Sequence, residues 1–100
     1  MLKVQLTEEF ESWLDELRDT RARARIAARL KAATMGNLGD WKSLGSALFE
    51  MRVDVGQGYR VYFTKREKVV IIVLAGGDKS SQPRDIARAR VVLAQLRGAV

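Results

Sequence analysis

Ala47-Leu48-Phe49-Glu50-Met51-Arg52-Val53-Asp54 and, after the break Val55-Gly56-Gln57, Gly58-Tyr59-Arg60-Val61-Tyr62-Phe63-Thr64-Lys65 decide the fold. Successive side chains of an extended chain point to opposite faces, so the alternation sorts these residues into two sets. Phe49, Met51 and Val53 share a face with Tyr59, Val61 and Phe63, an apolar surface fit to pack against helices. Glu50, Arg52 and Asp54 share the other with Arg60, Tyr62 and Thr64, and that face is polar and strongly charged. A short glycine-containing break suits a hairpin, which sets Arg52 and Arg60 on neighbouring strands. Residues 69–74, Val69-Val70-Ile71-Ile72-Val73-Leu74, follow the break Arg66-Glu67-Lys68 and are apolar on both faces. They are expected to be the central strand of an antiparallel meander.

The flanking segments supply the rest of the sheet and its helices. Leu2-Lys3-Val4-Gln5-Leu6 alternates as a short half-buried strand. Thr7, followed by Glu8 and Glu9, is a helix start, because a hydroxyl accepts from an orphan N–H and carboxylates suit the positive end of the dipole. Phe10, Trp13, Leu14 and Leu17 fall on one side of that helix. Asp19-Thr20 restarts a helix whose apolar stripe is Ile26, Leu30 and Ala33, and Met35-Gly36 ends it. Its other side carries Arg21, Arg23, Arg25 and Arg29, read as a solvated or partner-facing surface. Residues 36–46 are rich in Gly, Asn, Asp and Ser and read as a loop anchored by Trp41. Residues 75–80 read as a second loop, and Ser81-Gln82-Pro83 opens a last helix with Ile86, Ala89, Leu93 and Leu96 on its core side. The expected architecture is one α+β domain spanning residues 1–100. It comprises an N-terminal strand, a helical hairpin, a three-stranded meander completing a four-stranded twisted sheet, and a C-terminal helix, with the helices on one face.

Charge narrows the class of partner. The 100 residues carry 18 basic and 12 acidic side chains, a formal net charge of +6. Twelve of the basic residues are arginine, the cation whose planar fork matches phosphate and carboxylate groups. Such a field attracts a polyanion or an acidic protein. The chain has no His and no Cys, which removes thiolate and disulfide chemistry and leaves a zinc site only carboxylates. No cofactor is expected. Nothing approaches the roughly 18 to 20 apolar residues that cross a bilayer, and Lys3 with the acids after it stands where a signal peptide has its apolar core. The expected location is the cytoplasm, with no membrane partner.

Two guanidiniums side by side repel unless an anion lies between them. Glu50 fills that role in a purely structural ladder of cross-strand ion pairs; a phosphate fills it in a functional one. Cleavage of RNA by its own 2′-hydroxyl needs a base, stabilisation of the charged phosphorane and a proton for the leaving 5′-oxygen. Without His, proton transfer falls to Glu50 or to a lysine of lowered pKa; Lys79 lies just past the expected central strand, within reach of the same face. Gly76-Gly77 is either a tight turn or a place where backbone approaches a ligand. Tyr62 either stacks a base or covers the sheet.

Gly56-Gln57-Gly58-Tyr59-Arg60-Val61-Tyr62-Phe63, Gly76-Gly77-Asp78-Lys79-Ser80-Ser81-Gln82 and Asp85-Ile86 together resemble the addiction-module killer proteins of the RelE/ParE superfamily, close to the HigB-type toxins. The resemblance spans nearly the whole chain, including Phe10, Trp13 and Leu14 and the segment Gly36-Asn37-Leu38-Gly39-Asp40. It implies a RelE-like fold, cleavage of mRNA in the ribosomal A site, and neutralisation by a cognate antitoxin, often a helix-turn-helix repressor. It also implies a catalytic set of Glu50, Arg52, Arg60 and Lys79, with RNA contacts at Lys42, Tyr62, Gln82 and Asp85. Glu50 stands where RelE has a Lys, Asp85 lies in the region of its catalytic Tyr, and the His of some HigB toxins is absent. ParE relatives inhibit DNA gyrase without cutting RNA, so a gyrase inhibitor and a non-toxic basic RNA-binding module are the alternative readings.

Overall fold

The computed structural model describes residues 1–98. The chain runs β1 (Lys3–Leu6), α1 (Glu8–Glu16), α2 (Thr20–Thr34), β2 (Trp41–Gly45), β3 (Leu48–Val53), β4 (Tyr59–Arg66), β5 (Val70–Asp78), a single 3₁₀ turn (Lys79–Ser81) and α3 (Gln82–Gly98). The five strands form one sheet in the order β1-β5-β4-β3-β2. β1 runs parallel to β5, and every other neighbouring pair is antiparallel.

Local chemistry sets the element ends as the sequence predicts. The Thr7 side chain accepts from the Phe10 N–H at 3.2 Å and caps α1. Asp19 accepts from the Ala22 N–H at 3.0 Å and caps α2. Gly36, at a φ of 91°, lets the chain leave α2 through the left-handed region.

Three expectations are corrected. Residues 36–46 are not all loop: Trp41–Gly45 forms an edge strand on β3, with Lys42 opposite Glu50, so the sheet has five strands rather than four. The polar composition hid a short edge strand whose pairing is supplied by its neighbour. Residues 75–78 are likewise strand, continuing β5 to Asp78. Finally, helices cover both faces. Ile71 and Val73 of β5 join Phe10, Ile26, Met51, Val61 and Phe63 beneath α1 and α2, whereas Ile72 and Leu74 join Leu48, Tyr62, Ala89 and Leu93 beneath α3. β5 lies between β1 and β4, interior but not central, since β4 is the middle of the five strands, and an interior strand apolar on both sides requires cover on both.

β5 contains a bulge. Tyr62 pairs with Ala75 but Phe63 with Val73, leaving Leu74 as the extra residue. Leu74 and Ala75 consequently both face α3, and the alternation resumes one position out of phase. The Thr7 hydroxyl lies 2.9 Å and 3.1 Å from the Val73 and Leu74 carbonyl oxygens and satisfies the disturbed backbone there. Past the bulge, Gly76 turns to α1 and Gly77 to α3. A Cβ at Gly76 would run into the Trp13 ring, and one at Gly77 into the Asp85 carboxyl. The glycine pair is therefore neither turn nor ligand approach; it makes room for a helix on each face. Among the described residues no helix is long and apolar enough to cross a membrane.

Gly77→Ala is expected to lower stability by about 1–3 kcal/mol through overpacking against Asp85. In urea titrations, adding Asp85→Ala to the same chain should recover part of the loss; strictly additive destabilisation would show that the two positions do not press on each other.

Candidate functional site

The β3–β4 hairpin places the arginines. Arg52 and Arg60 are direct cross-strand partners, as the alternation predicts, and β5 brings Gly77 opposite Arg60. The hairpin tip is docked on the cap of α2, where the Tyr59 hydroxyl donates to Asp19 Oδ2 at 3.3 Å. Gln57 Nε2 donates to Tyr59 Oη at 3.3 Å and to Asp78 Oδ2 at 3.4 Å, tying the tip to the end of β5. Asp78 in turn accepts from the Ser80 N–H at 2.8 Å, and the Ser80 hydroxyl hydrogen bond holds its carboxyl below the usual carboxylate range. The Lys79 N–H donates to the Gly58 carbonyl at 3.1 Å. These bonds fix Lys79 beside the hairpin, and Arg52, Arg60 and Lys79 line one open hollow of about 290 Å³ with the backbone of Gly56 and Gly58. Asp40 and Asp54 line it as well, beyond ion-pair distance of the three cations among the described residues.

Glu50 lies beside the hollow, behind Arg52 and Arg60. It is 2% exposed, with Oε2 3.5 Å from Arg52 Nε and 3.8 Å from Lys42 Nζ, and Oε1 3.8 Å from Arg60 Nε. Gln82 Nε2, at the start of α3, donates to Oε1 at 3.1 Å. One buried carboxylate thus collects three cations and an amide. A buried charge persists only when paired in this way. The Nε atom of Arg60 is buried and has no hydrogen-bond partner; its Nη1 donates to the Tyr59 carbonyl at 3.1 Å.

Of the eight residues singled out from the sequence, six meet here: Lys42, Glu50, Arg52, Arg60, Lys79 and Gln82. Two do not reach the surface. Tyr62 is fully buried in the α3 core, so its ring has no face open to a base and covers the sheet instead. Burial, then the nearby Glu50 and Asp85 carboxylates, pushes its phenol up to about 12, and its hydroxyl has no hydrogen-bond partner. Asp85 is 2% exposed and accepts hydrogen bonds from Ser81 and, at 2.7 Å, from Arg88 Nη2. It anchors the first turn of α3 rather than presenting itself to a ligand.

The sequence pattern sets Arg29 on the exposed side of α2, whereas the structure places it, half-buried, in support of the site. Its Nη1 donates to the Arg52 carbonyl at 2.5 Å, and its Nη2 to the Leu38 carbonyl at 3.1 Å. Partial burial pushes its pKa down from the ordinary arginine value. The signal was its position three residues after Ile26, on the edge of the core stripe, together with Gly39, where a Cβ would meet the guanidinium. Arg21, Arg23 and Arg25 are exposed, as expected.

A five-stranded sheet clad on both faces, with a cationic hollow at the end of one hairpin, defines a small α+β protein equipped to hold an anion. The chain belongs to the family described as Phage derived protein Gp49-like (DUF891), which it matches over residues 12–97. That span includes every residue of the hollow. An uncharacterized protein of Haemophilus influenzae is similar to it, 45% identical over 95 residues that cover 95% of this chain and 96% of the relative.

The Tyr62 phenol gives a signed pH effect. Between its ordinary value of 10.0 and about 12 the unfolded chain releases this proton first, so stability should fall as pH rises through that window. Tyr62→Phe should flatten the alkaline loss in urea titrations while leaving stability at neutral pH unchanged or higher, since the hydroxyl it removes is unpaired.

Proposed function

We propose that this protein is the toxin of a toxin–antitoxin pair and that it cuts mRNA on the ribosome through the cationic hollow. Membership of the Gp49-like family supports the toxin context. The kinship to RelE- and HigB-type toxins rests on the motif residues, above all Gly58-Tyr59-Arg60 and Lys79. The single observation that carries the reading is the convergence of Arg52, Arg60 and Lys79 on one open hollow.

In this reading the guanidiniums of Arg52 and Arg60 hold the non-bridging oxygens of the scissile phosphate, where planar paired donors suit the phosphorane as charge develops. The 2′-hydroxyl attacks phosphorus and loses its proton to solvent, which reaches the open hollow. The 5′-oxygen leaves with a proton from Lys79, which is exposed and has no ion-pair partner among the described residues. A 2′,3′-cyclic phosphate remains. The partners are mRNA in the ribosome and a cognate antitoxin, a helix-turn-helix repressor in the pattern the resemblance implies, and the site of action is the cytoplasm.

Arg60→Ala is expected to abolish growth arrest and to slow mRNA cleavage in a purified translation system by about 10²–10³-fold, the range for losing one oriented donor. Circular dichroism should show it folded. A folded, fully active Arg60→Ala protein would overturn the proposal. So would wild-type protein that inhibits gyrase supercoiling and leaves mRNA intact.

A further inference from the structure

The buried carboxylate of Glu50, behind the two arginines that line the hollow, is not placed as a proton acceptor. A general base must come within about 2.6–3.2 Å of the proton it takes. Glu50 is 2% exposed, and both of its oxygens are already turned to protein partners, Oε1 to Gln82 and Arg60 and Oε2 to Arg52 and Lys42. Its influence on a ligand passes through the arginines.

That influence has two parts. First, both guanidiniums meet Glu50 by their Nε atoms, at 3.5 Å for Arg52 and 3.8 Å for Arg60. Meeting the carboxylate by the Nε edge of a planar fork leaves the terminal nitrogens of Arg52, and Nη2 of Arg60, whose Nη1 is on the Tyr59 carbonyl, to face a second anion. Secondly, the carboxylate offsets charge. Lys42, Arg52 and Arg60 would repel one another across adjacent strands, and one of their three positive charges is cancelled in the resting protein. The distances exceed the 2.7–2.9 Å typical of a charge-assisted hydrogen bond, so the cations are aligned without being locked.

We propose that Glu50 is a positioning residue and the built-in counter-ion of the hollow: it aligns Arg52 and Arg60 by their Nε edges and weakens the hollow's hold on any single phosphate. A phosphodiester chain, which meets Lys42 and Lys79 as well as the arginines, overcomes that offset. A lone phosphate meets the offset with fewer cations. The selected ligand class is therefore a polynucleotide strand rather than inorganic phosphate or a mononucleotide. This rests on the phosphate-gripping reading of the hollow and adds to it the choice between phosphates.

The test measures binding of a 2′-O-methyl oligoribonucleotide, which cannot be cleaved, and of inorganic phosphate to the full chain over a range of salt. Glu50→Gln is expected to bind the oligonucleotide about three- to tenfold more tightly at low salt. The slope of log K against log salt should steepen by about 0.7 for the cation released to the strand. Inorganic phosphate, negligible in the wild type, should become a detectable ligand. Binding that weakens and a slope that flattens in Glu50→Gln, as in Arg60→Ala, would overturn the inference and make Glu50 a purely structural support. A wild-type protein whose oligonucleotide affinity is indifferent to salt and to Arg60→Ala would instead sink the reading of the hollow itself.

A second measurement needs no substitution. In wild-type protein labelled with ¹³C and ¹⁵N, adding the oligonucleotide should move the Arg52 and Arg60 Nε–H signals together with the Glu50 carboxyl carbon. Arginine signals that move while the Glu50 carbon stays fixed would refute the coupling even if Glu50→Gln fails to fold.

Discussion

The molecule depends on β5 being covered on both faces at once. Ile71 and Val73 commit one face to the α1 and α2 layer, Ile72 and Leu74 commit the other to α3, and neither α1 nor α3 can leave without exposing a face of this interior strand. At the end of that strand the two helical layers press hardest. Gly76 admits the Trp13 ring on one side and Gly77 admits the Asp85 carboxyl on the other. Because Asp85 belongs to the first turn of α3, the same close approach that packs the core also sets where that helix begins.

The site follows from this seating. With α3 starting at Gln82, the Gln82 amide reaches Glu50 on β3, and the 3₁₀ turn before it carries Lys79 to the hairpin. Arg29 works from the opposite layer, bonding the Arg52 carbonyl and steadying the strand end that carries the guanidinium. Both helical layers therefore bear on one hollow. The ion pairs around it all converge on Glu50, which is buried, and removing a partner there leaves a charge with no solvent to replace it.

Much of this was legible in one dimension. Alternation in the two middle strands sorted Phe49, Met51, Val53, Tyr59, Val61 and Phe63 from Arg52 and Arg60 correctly, since the two-residue period of a strand is fixed by backbone geometry. Thr7 and Asp19 announced their helices because capping is a local bond. Polar composition misled at Trp41–Gly45, where an edge strand is held by its partner's backbone and needs no pattern of its own. It misled again at Tyr62, whose charged neighbours Glu50 and Arg60 suggested an open face that α3 in fact covers.

The sequence by itself determined which residues share a face and where the helices start, because each is set by neighbours within a few positions, and that the chain is strongly basic, because net charge is a sum over composition. Only the tertiary structure decided that Leu74 bulges, so that Gly76 and Gly77 face opposite layers, and that Glu50 sits among Lys42, Arg52, Arg60 and Gln82. Those outcomes join residues far apart in the chain. A bulge shifts strand parity by one, and no local pattern of side chains records on which side of it the next helix will rest.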